Sequence, residues 1–331
     1  MGHVFSRMDA TLAIIALVYI VGWTLLLVGF IGLPMLLIMF CVPGWRGALL
    51  RHPRKTSVLS LVCISVVGMT LYQVITSYHD NQRRHPKLVH ALQVEGLALP
   101  AGATLHLETP EPLDERGRPS AHAAASLTEA EFVAPHTVAG LSVTTLRFRG
   151  SEVEMKLAGD QLVQGWSCKA GSHLTMNFEV SARLQPELWQ FNRCELVAGT
   201  QVAGVVWPAD SQVYRLDAGY VLSHWGQSEA MSINGLALKN VEVRLNVQRQ
   251  LLNWKAQLTQ PMTLGEWQYP AGMRVGQSTP HTLVFRSDRY YAGRNVRTGE
   301  TLEVEHSIQQ RMTDGIVLWI KPDAELKVSD W

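Results

Sequence analysis

The hydrophobic positions of this chain follow two different patterns. Near the N-terminus they form two continuous runs, residues 11–42 and 56–76, that contain no charged side chain. An α-helix needs about 20 residues to cross about 30 Å of hydrocarbon, so both runs are predicted to be transmembrane helices. The apolar region of a cleaved signal peptide is only about 7 to 15 residues long, which makes cleavage the less favoured interpretation of the first run.

The basic residues around these runs predict their orientation. The loop of residues 43–55 carries four basic residues and no acidic one, and short basic loops stay on the cytoplasmic side. Three basic residues just after the second run weaken this bias without reversing it. We therefore expect residues 1–88 to be an anchor in a bacterial inner membrane, in contact with the lipid bilayer, and residues 89–331 to lie in the periplasm.

After residue 88 the apolar residues alternate with polar ones over short segments, which is typical of strands with one buried face. These segments share a motif of an aliphatic residue, one further residue and a glycine, with the glycines at 96, 140, 165, 204, 235 and 265. Such glycines suggest bulges or close backbone approaches. The only helices predicted here are short ones, at residues 127–132 and 309–313.

The predicted fold class is mainly β, preceded by the two transmembrane helices. The unequal spacing of the motif glycines argues against a tightly wound parallel β-helix, because such a helix keeps a strict period. Two arrangements of the hairpin repeats stay open, an antiparallel meander and an irregular β-solenoid.

Three stretches carry a resemblance to a known family. They read LAGDQLVQGWSCKAGSHLTMNF, LVAGTQVAGVVWPADSQVYRL and LTQPMTLGEWQYPAGMRVG, and they resemble degenerate MORN-like hairpin repeats of bacterial proteins. The resemblance covers about residues 92–280. It implies a scaffold or binding surface, and it carries no catalytic residue over to this chain.

Charge and cysteine content narrow the classes of partner and compartment. The chain has 29 Lys and Arg against 28 Asp and Glu, whereas nucleic-acid binders rely on basic patches that neutralise phosphates. No nucleic-acid partner is therefore expected.

Cys168 and Cys194 are the only cysteines after residue 88. A lone pair suits one disulfide in an oxidising compartment, and two buried free thiols are the alternative.

Recognisable catalytic motifs are absent from the sequence. It contains no HExxH, paired CxxC, Gly-x-Ser-x-Gly or Walker loop, and its twelve histidines include no pair with metal-ligand spacing after residue 88. Ser223, His224 and Asp217 lie in one stretch, but adjacent residues of a strand point to opposite faces, which argues against a catalytic triad. We expect no catalytic residues, no metal and no cofactor.

Two sets of residues are candidates for binding a partner. The first combines guanidinium groups with aromatic rings, which suits carboxylate, phosphate or sugar-acid ligands, and comprises Arg286, Arg289, Tyr290, Tyr291, Arg294 and Arg297. Its alternative is a solvated hairpin tip whose charges pair with Asp288 and Glu300.

The second set is Trp166, Trp207 and Trp267, which follow motif glycines. Their rings could face a glycan or a protein, and core packing is the alternative.

Together these features predict a non-catalytic β-repeat domain, tethered to the membrane, that binds a protein partner. A toxin-neutralising immunity protein is one version, because such a protein needs only an anchor and a complementary surface. Two alternatives come from other classes, an envelope enzyme acting on peptidoglycan or lipid and a structural subunit of a membrane complex.

Overall fold

The computed structural model describes residues 53–116, 123–226 and 230–326, together with a few positions between 31 and 42. The chain divides into two compact units, Met1–Arg84 and His85–Trp331. The first predicted helix, residues 11–42, lies almost entirely outside the described residues. Ile31, Ile38 and Cys41 within it have helical backbone.

The second apolar run forms helix α1, Pro53–Arg84. Many of its apolar side chains are exposed, with Leu61 at 68% and Met69 at 65% of their full accessibility. Within α1, Ser60–Arg84 is long and apolar enough to cross a membrane. Among the described residues this is the one helix with that property, where the sequence predicted two.

The second unit is built almost entirely from short strands. Strands β1 to β8 are Leu92–Val94, Leu97–Leu99, Thr104–Leu107, Leu127–Val138, Leu141–Arg149, Glu152–Leu157, Gln161–Val163 and Trp166–Cys168. Strands β9 to β16 are His173–Asn177, Gln190–Glu195, Thr200–Val202, Val205–Trp207, Gln212–Leu216, Gly219–His224, Met231–Ile233 and Leu236–Leu245. Strands β17 to β24 are Leu251–Leu258, Met262–Leu264, Trp267–Tyr269, Arg274–Thr279, Thr282–Arg286, Arg294–Asn295, His306–Arg311 and Val317–Pro322. Short 3₁₀ turns lie at Ala123–Ser126, Val180–Ala182, Pro186–Leu188 and Asp323–Glu325.

The longer strands join in one sheet of 15 strands, which we call the long sheet. Its order is β3-β4-β5-β6-β9-β10-β13-β14-β16-β17-β20-β21-β23-β24, with β15 paired to β16. Every strand pair in the described residues is antiparallel. The predicted mainly β, antiparallel class is confirmed. The strand order follows the chain, so of the two predicted arrangements it is that of a meander.

The strands skipped by the long sheet form small hairpins of their own. These are β1 with β2, β7 with β8, β11 with β12, and β18 with β19, the last joined by β22. In β12, Val205 and Trp207 are buried while Val206 between them is 60% exposed. Each hairpin therefore turns one face inward, as the alternating pattern predicts.

The core of this unit lies between the small hairpins and one face of the long sheet. Trp166 of β8 stacks on Phe191 of β10, with ring centroids 6.4 Å apart. Tyr269 of β19 stacks on Phe285 of β21 at 3.7 Å. We call the face of the long sheet that meets the hairpins its inner face and the opposite one its outer face.

Four of the six motif glycines lie in tight turns and do not form the predicted bulges. In four hairpins both central turn residues have positive φ, at residues 139–140, 164–165, 203–204 and 234–235. Ala139, for example, has φ 52° and Gly140 has φ 77°. Two-residue turns of this kind match the right-handed twist of the strands they join. These motif glycines therefore close tight hairpins.

The short helices predicted at residues 127–132 and 309–313 are wrong. Residues 127–132 lie in β4, which pairs with β3 on one side and β5 on the other. Residues 309–311 lie in β23, between β21 and β24. Cross-strand pairing outweighs a local helical preference, because propensity is a weak signal compared with tertiary context.

Candidate functional site

The three predicted tryptophans do not form a binding surface. Trp166, Trp207 and Trp267 are only 2%, 0% and 4% exposed. Each belongs to a small hairpin and points toward the long sheet. Their rings therefore pack the core, which was the alternative interpretation, and no partner can reach them from solvent.

The predicted arginine and tyrosine set divides between two places. Arg286 lies in β21, where its Nε donates to the carboxylate of Asp323. The side chain of Asp323 is 9% exposed and also accepts a 2.6 Å hydrogen bond from Ser307. The other five residues of the set follow β21 in the connection toward β23.

Two arginines of that connection contact nearby side chains. The guanidinium of Arg289 lies 4.6 Å from the ring centre of Tyr290, and Arg297 forms an ion pair of 3.1 Å with Glu266. Tyr291 is 37% exposed and Arg294 is exposed.

The predicted pairing with Asp288 and Glu300 is not what the connection shows. Asp288 accepts hydrogen bonds from the backbone N–H groups of Tyr290 and Tyr291, at 2.8 and 3.0 Å. Asp288 thus shapes the turn, whereas Arg286 pairs with Asp323 and Arg297 pairs with Glu266.

The outer face of the long sheet carries a more coherent site. A depression of about 360 Å³ lies over β16, β17, β20 and β21. Its polar and aromatic lining residues are Trp225, Asn240, Lys255, Gln257, Arg274 and Arg286. We call it the cationic groove.

Strand register brings these residues together from distant parts of the sequence. Gln257 pairs with Arg274, Arg274 pairs with Arg286, and Arg286 pairs with Ser307. Residues directly opposite each other in antiparallel strands share a face, with Cβ atoms about 4.5 to 5.5 Å apart. Val275 and Phe285, next in sequence to the two arginines, are fully buried. The arginines therefore lie side by side on the outer face.

The three basic groups of the groove differ in how far their charge is compensated. Lys255 forms an ion pair of 3.0 Å with Glu242, and Arg286 is held by Asp323. Arg274 is exposed, and its side chain makes no hydrogen bond or ion pair within the described part of the chain. The groove therefore keeps an uncompensated guanidinium next to a second one.

An exposed aromatic ring borders the groove. Trp225 directly follows β14 and is 64% exposed, unlike the three hairpin tryptophans. On the same groove wall, Asn240 donates a 2.9 Å hydrogen bond to Gln257. Exposed tryptophan and arginine are the residue types that most often dominate binding energy at interfaces.

The stretch of Ser223, His224 and Asp217 contains no triad. His224 is 4% exposed, and its Nδ1 lies 3.3 Å from the hydroxyl of Ser211, not from a carboxylate. The hydroxyl of Ser223 is buried and has no hydrogen-bond partner in the described residues. No group of metal-ligating side chains occurs among them either.

A disulfide joins the hairpin layer to the long sheet. Cys168 of β8 and Cys194 of β10 are bonded, with Cα atoms 5.8 Å apart. The next residue after each cysteine, Lys169 and Glu195, forms an ion pair, and Lys169 also lies 3.1 Å from Asp210. Hydrogen bonding and charge from Lys169 lower the pKa of the Asp210 carboxyl, and Glu195 is the main cause of the raised pKa of Lys169.

Sequence reasoning found only one member of the groove, Arg286. The others lie in separate strands and loops, and none belongs to a motif. One signal was available: in β20, the polar Arg274 precedes the apolar Val275 in a strand whose alternation places it on the solvent side. The sequence alone does not tell which strands are neighbours in the sheet, and the site is formed by residues of neighbouring strands.

Comparisons with known proteins do not assign the chain to a family. No protein-family model matches it, and no curated protein matches it. The resemblance to MORN-like repeats therefore stays a prediction. Function has to be argued from the geometry of the chain itself.

Proposed function

We propose that this chain is a membrane-anchored, non-catalytic binding protein whose β unit recognises a protein partner through the cationic groove. The observation that carries the proposal is the combination, in one groove, of an exposed tryptophan with an arginine that has no charged partner among the described residues. Trp225 offers a large apolar surface, and Arg274 offers a charge that the described part of the chain leaves uncompensated. Both are typical centres of interface energy.

Helix α1 supports the anchor. Apolar side chains such as Leu61, Ile64 and Tyr72 are all more than 60% exposed along it. A water-soluble helix buries one apolar stripe, whereas a helix that is apolar all round needs lipid or a protein interior as its solvent. A bacterial inner membrane is the setting we propose for it.

The disulfide supports a periplasmic location for the β unit. Disulfides form and persist in oxidising compartments and are rare in the cytosol. Cys168 and Cys194 are both fully buried and bonded. The same side of the membrane follows from the basic loop of residues 43–55, which favours a cytoplasmic position for that loop.

A toxin-neutralising immunity protein is the specific version that this architecture suits. Such a protein has to occupy a toxin's surface in the compartment where the toxin acts, and it performs no chemistry. An envelope enzyme and a structural subunit of a membrane complex are the other classes. No contact or cluster in the described residues favours either over binding.

The test is capture of partners by the full-length chain, tagged and extracted from its own membranes in mild detergent. Wild type is compared with Trp225→Ala and with Tyr290→Ala. Tyr290 is a matched control, because it is 70% exposed but lies outside the groove. We expect one protein to be recovered with wild type and with Tyr290→Ala, and at least about tenfold less of it with Trp225→Ala.

Two outcomes would contradict the proposal. Equal recovery with all three proteins would remove the groove as the binding site. Loss with Tyr290→Ala but not with Trp225→Ala would move the site to the connection between β21 and β23. Quantitative mass spectrometry of the captured material gives the ratio directly.

A further inference from the structure

The cationic groove places two guanidinium groups next to each other. Arg274 and Arg286 are directly opposite each other in β20 and β21. Like charges opposite each other in a sheet are destabilising. Asp323 compensates Arg286 from the far side, and Arg274 has no such partner in the described residues. An anion placed over Arg274 would relieve the repulsion.

The chemistry of Arg274 limits what that anion can be. A guanidinium is planar and carries its N–H donors in a fixed fork, which matches the two oxygens of a carboxylate or phosphate. Gln257 lies opposite Arg274 on the other side, in β17, and its amide oxygen accepts a hydrogen bond from Asn240. The side-chain amides of Asn240 and Gln257 thus form an uncharged surface beside Arg274. The guanidinium of Arg274 is therefore the group that selects an oxyanion.

The size and border of the groove add a second requirement. A space of about 360 Å³ holds more than an oxyanion alone, and ligand sites of this size combine apolar surface with a few polar groups. Trp225 supplies the apolar surface, since its ring is 64% exposed at the edge of the same groove. A ligand that fills the site therefore carries an oxyanion and an apolar or aromatic group close to it.

We propose that the cationic groove is an oxyanion site in which Arg274 binds a carboxylate or phosphate while Trp225 packs against an apolar group next to it. On a protein partner this corresponds to an acidic or phosphorylated side chain beside an apolar one. This inference rests on the proposed function only for the identity of the partner. The site itself is defined by the groove.

The test uses small probes that separate charge from apolar contact. Benzoate carries both groups, acetate carries only the carboxylate, and benzyl alcohol carries only the ring. Phenyl phosphate replaces the carboxylate by a phosphate. Binding to the full-length chain in lipid nanodiscs is measured by ligand-observed NMR and by calorimetry. We expect benzoate or phenyl phosphate to bind at least tenfold more tightly than acetate and benzyl alcohol, and the tighter of the two identifies the oxyanion.

Variants assign the two contacts. Arg274→Gln should weaken binding of benzoate and phenyl phosphate at least tenfold and reduce the salt dependence of binding, because screening acts on the charged contact that the variant removes. Arg274→Lys should restore the salt dependence but not the full affinity, because it keeps the charge and loses the fork. Arg193→Gln is the control, since Arg193 is an exposed arginine of the same sheet outside the groove.

Equal binding of all four probes, or equal effects of Arg274→Gln and Arg193→Gln, would overturn the inference. Its failure differs from failure of the proposed function. A partner could still be captured in a Trp225-dependent way while benzoate and phenyl phosphate do not bind, and the groove would then be an interface without an oxyanion site.

Discussion

Neighbouring residues in a strand of the long sheet point to opposite faces, and these two faces have different roles. On the inner face, Val275 and Phe285 are fully buried against the hairpin layer. On the outer face, their sequence neighbours Arg274 and Arg286 line the cationic groove. Alternation along a strand thus separates the residues that stabilise the fold from those free to recognise a partner. Substitutions on the two faces should therefore affect different measurements.

The largest effect is expected from a buried tryptophan of the hairpin layer. Trp207→Ala should lower the free energy of unfolding by about 3 to 5 kcal/mol, the usual cost of removing a buried tryptophan. Trp225→Ala on the outer side should change it by no more than about 0.5 kcal/mol. Urea unfolding of the full chain in detergent, followed by circular dichroism of the β signal, measures both.

A milder variant refines this comparison. Trp207→Phe keeps a ring and removes an indole N–H that has no hydrogen-bond partner in the described residues. It should cost clearly less than Trp207→Ala. Similar losses for Trp207→Ala and Trp225→Ala would show that the buried hairpin layer and the exposed outer side do not differ in the way proposed.

The next largest effect concerns the disulfide that ties the hairpin layer to the inner face. Cys168 and Cys194 are 26 residues apart, and a cross-link of this loop length stabilises by about 2 to 4 kcal/mol. Replacing both cysteines by Ala should lower the free energy of unfolding by that amount. Reductant should lower the free energy of unfolding of wild type by a similar amount and leave that of the double variant unchanged. If reductant did not change the stability of wild type, the presence of the disulfide would be contradicted.

Charge substitutions on the outer face should have smaller effects of opposite sign. Arg274→Gln removes a like-charge neighbour of Arg286, so stability should stay the same or rise by about 0.2 to 1 kcal/mol. Arg286→Gln should lower stability by about 1 to 3 kcal/mol, because it leaves the largely buried Asp323 without its cation. The same urea titration compares the two, and a loss with Arg274→Gln would mean that this guanidinium has a structural partner.

The smallest effect is a pH dependence at the ion pair beside the disulfide. Lys169 lowers the pKa of the exposed Asp210 carboxyl. A carboxyl whose pKa is lower in the folded state contributes stability above its unfolded pKa and loses it as the pH falls through the folded value. Acidification below about pH 4 should therefore reduce the melting temperature of wild type slightly more than that of Asp210→Asn. Identical curves would mean that solvent screens the pair completely.

Much of the fold could be predicted from the sequence because alternation and turn glycines are local signals. The antiparallel hairpins and the apolar run that became α1 follow from patterns within about 20 residues. The burial of Trp166, Trp207 and Trp267 also follows locally, since each sits on the inward side of its hairpin. Two local signals were misread: four motif glycines close two-residue turns where bulges were expected, and residues 127–132 and 309–311 form strands where short helices were expected.

The candidate site could not be predicted, because it depends on which strands are neighbours and in what register. Arg274 and Arg286 meet only through the pairing of β20 with β21, which itself contains an irregularity between Gly276 and Thr279. Trp225 reaches the groove from the end of β14. A shift of one residue in register would turn the two arginines to the inner face. Alternation in the sequence shows which face each residue takes, but it does not show which residues of two distant strands lie opposite each other.

The most direct measurement of the central claim is photocrosslinking in intact cells. A photoreactive amino acid is placed at position 255, an exposed lining position of the groove that leaves Arg274 and Trp225 intact, and, as a control, at position 193 on the same sheet. We expect position 255 to give one discrete adduct with a protein in the membrane fraction, and position 193 to give none. No adduct from position 255, or the same adducts from both positions, would contradict the account that the groove of a membrane-anchored β unit binds a partner.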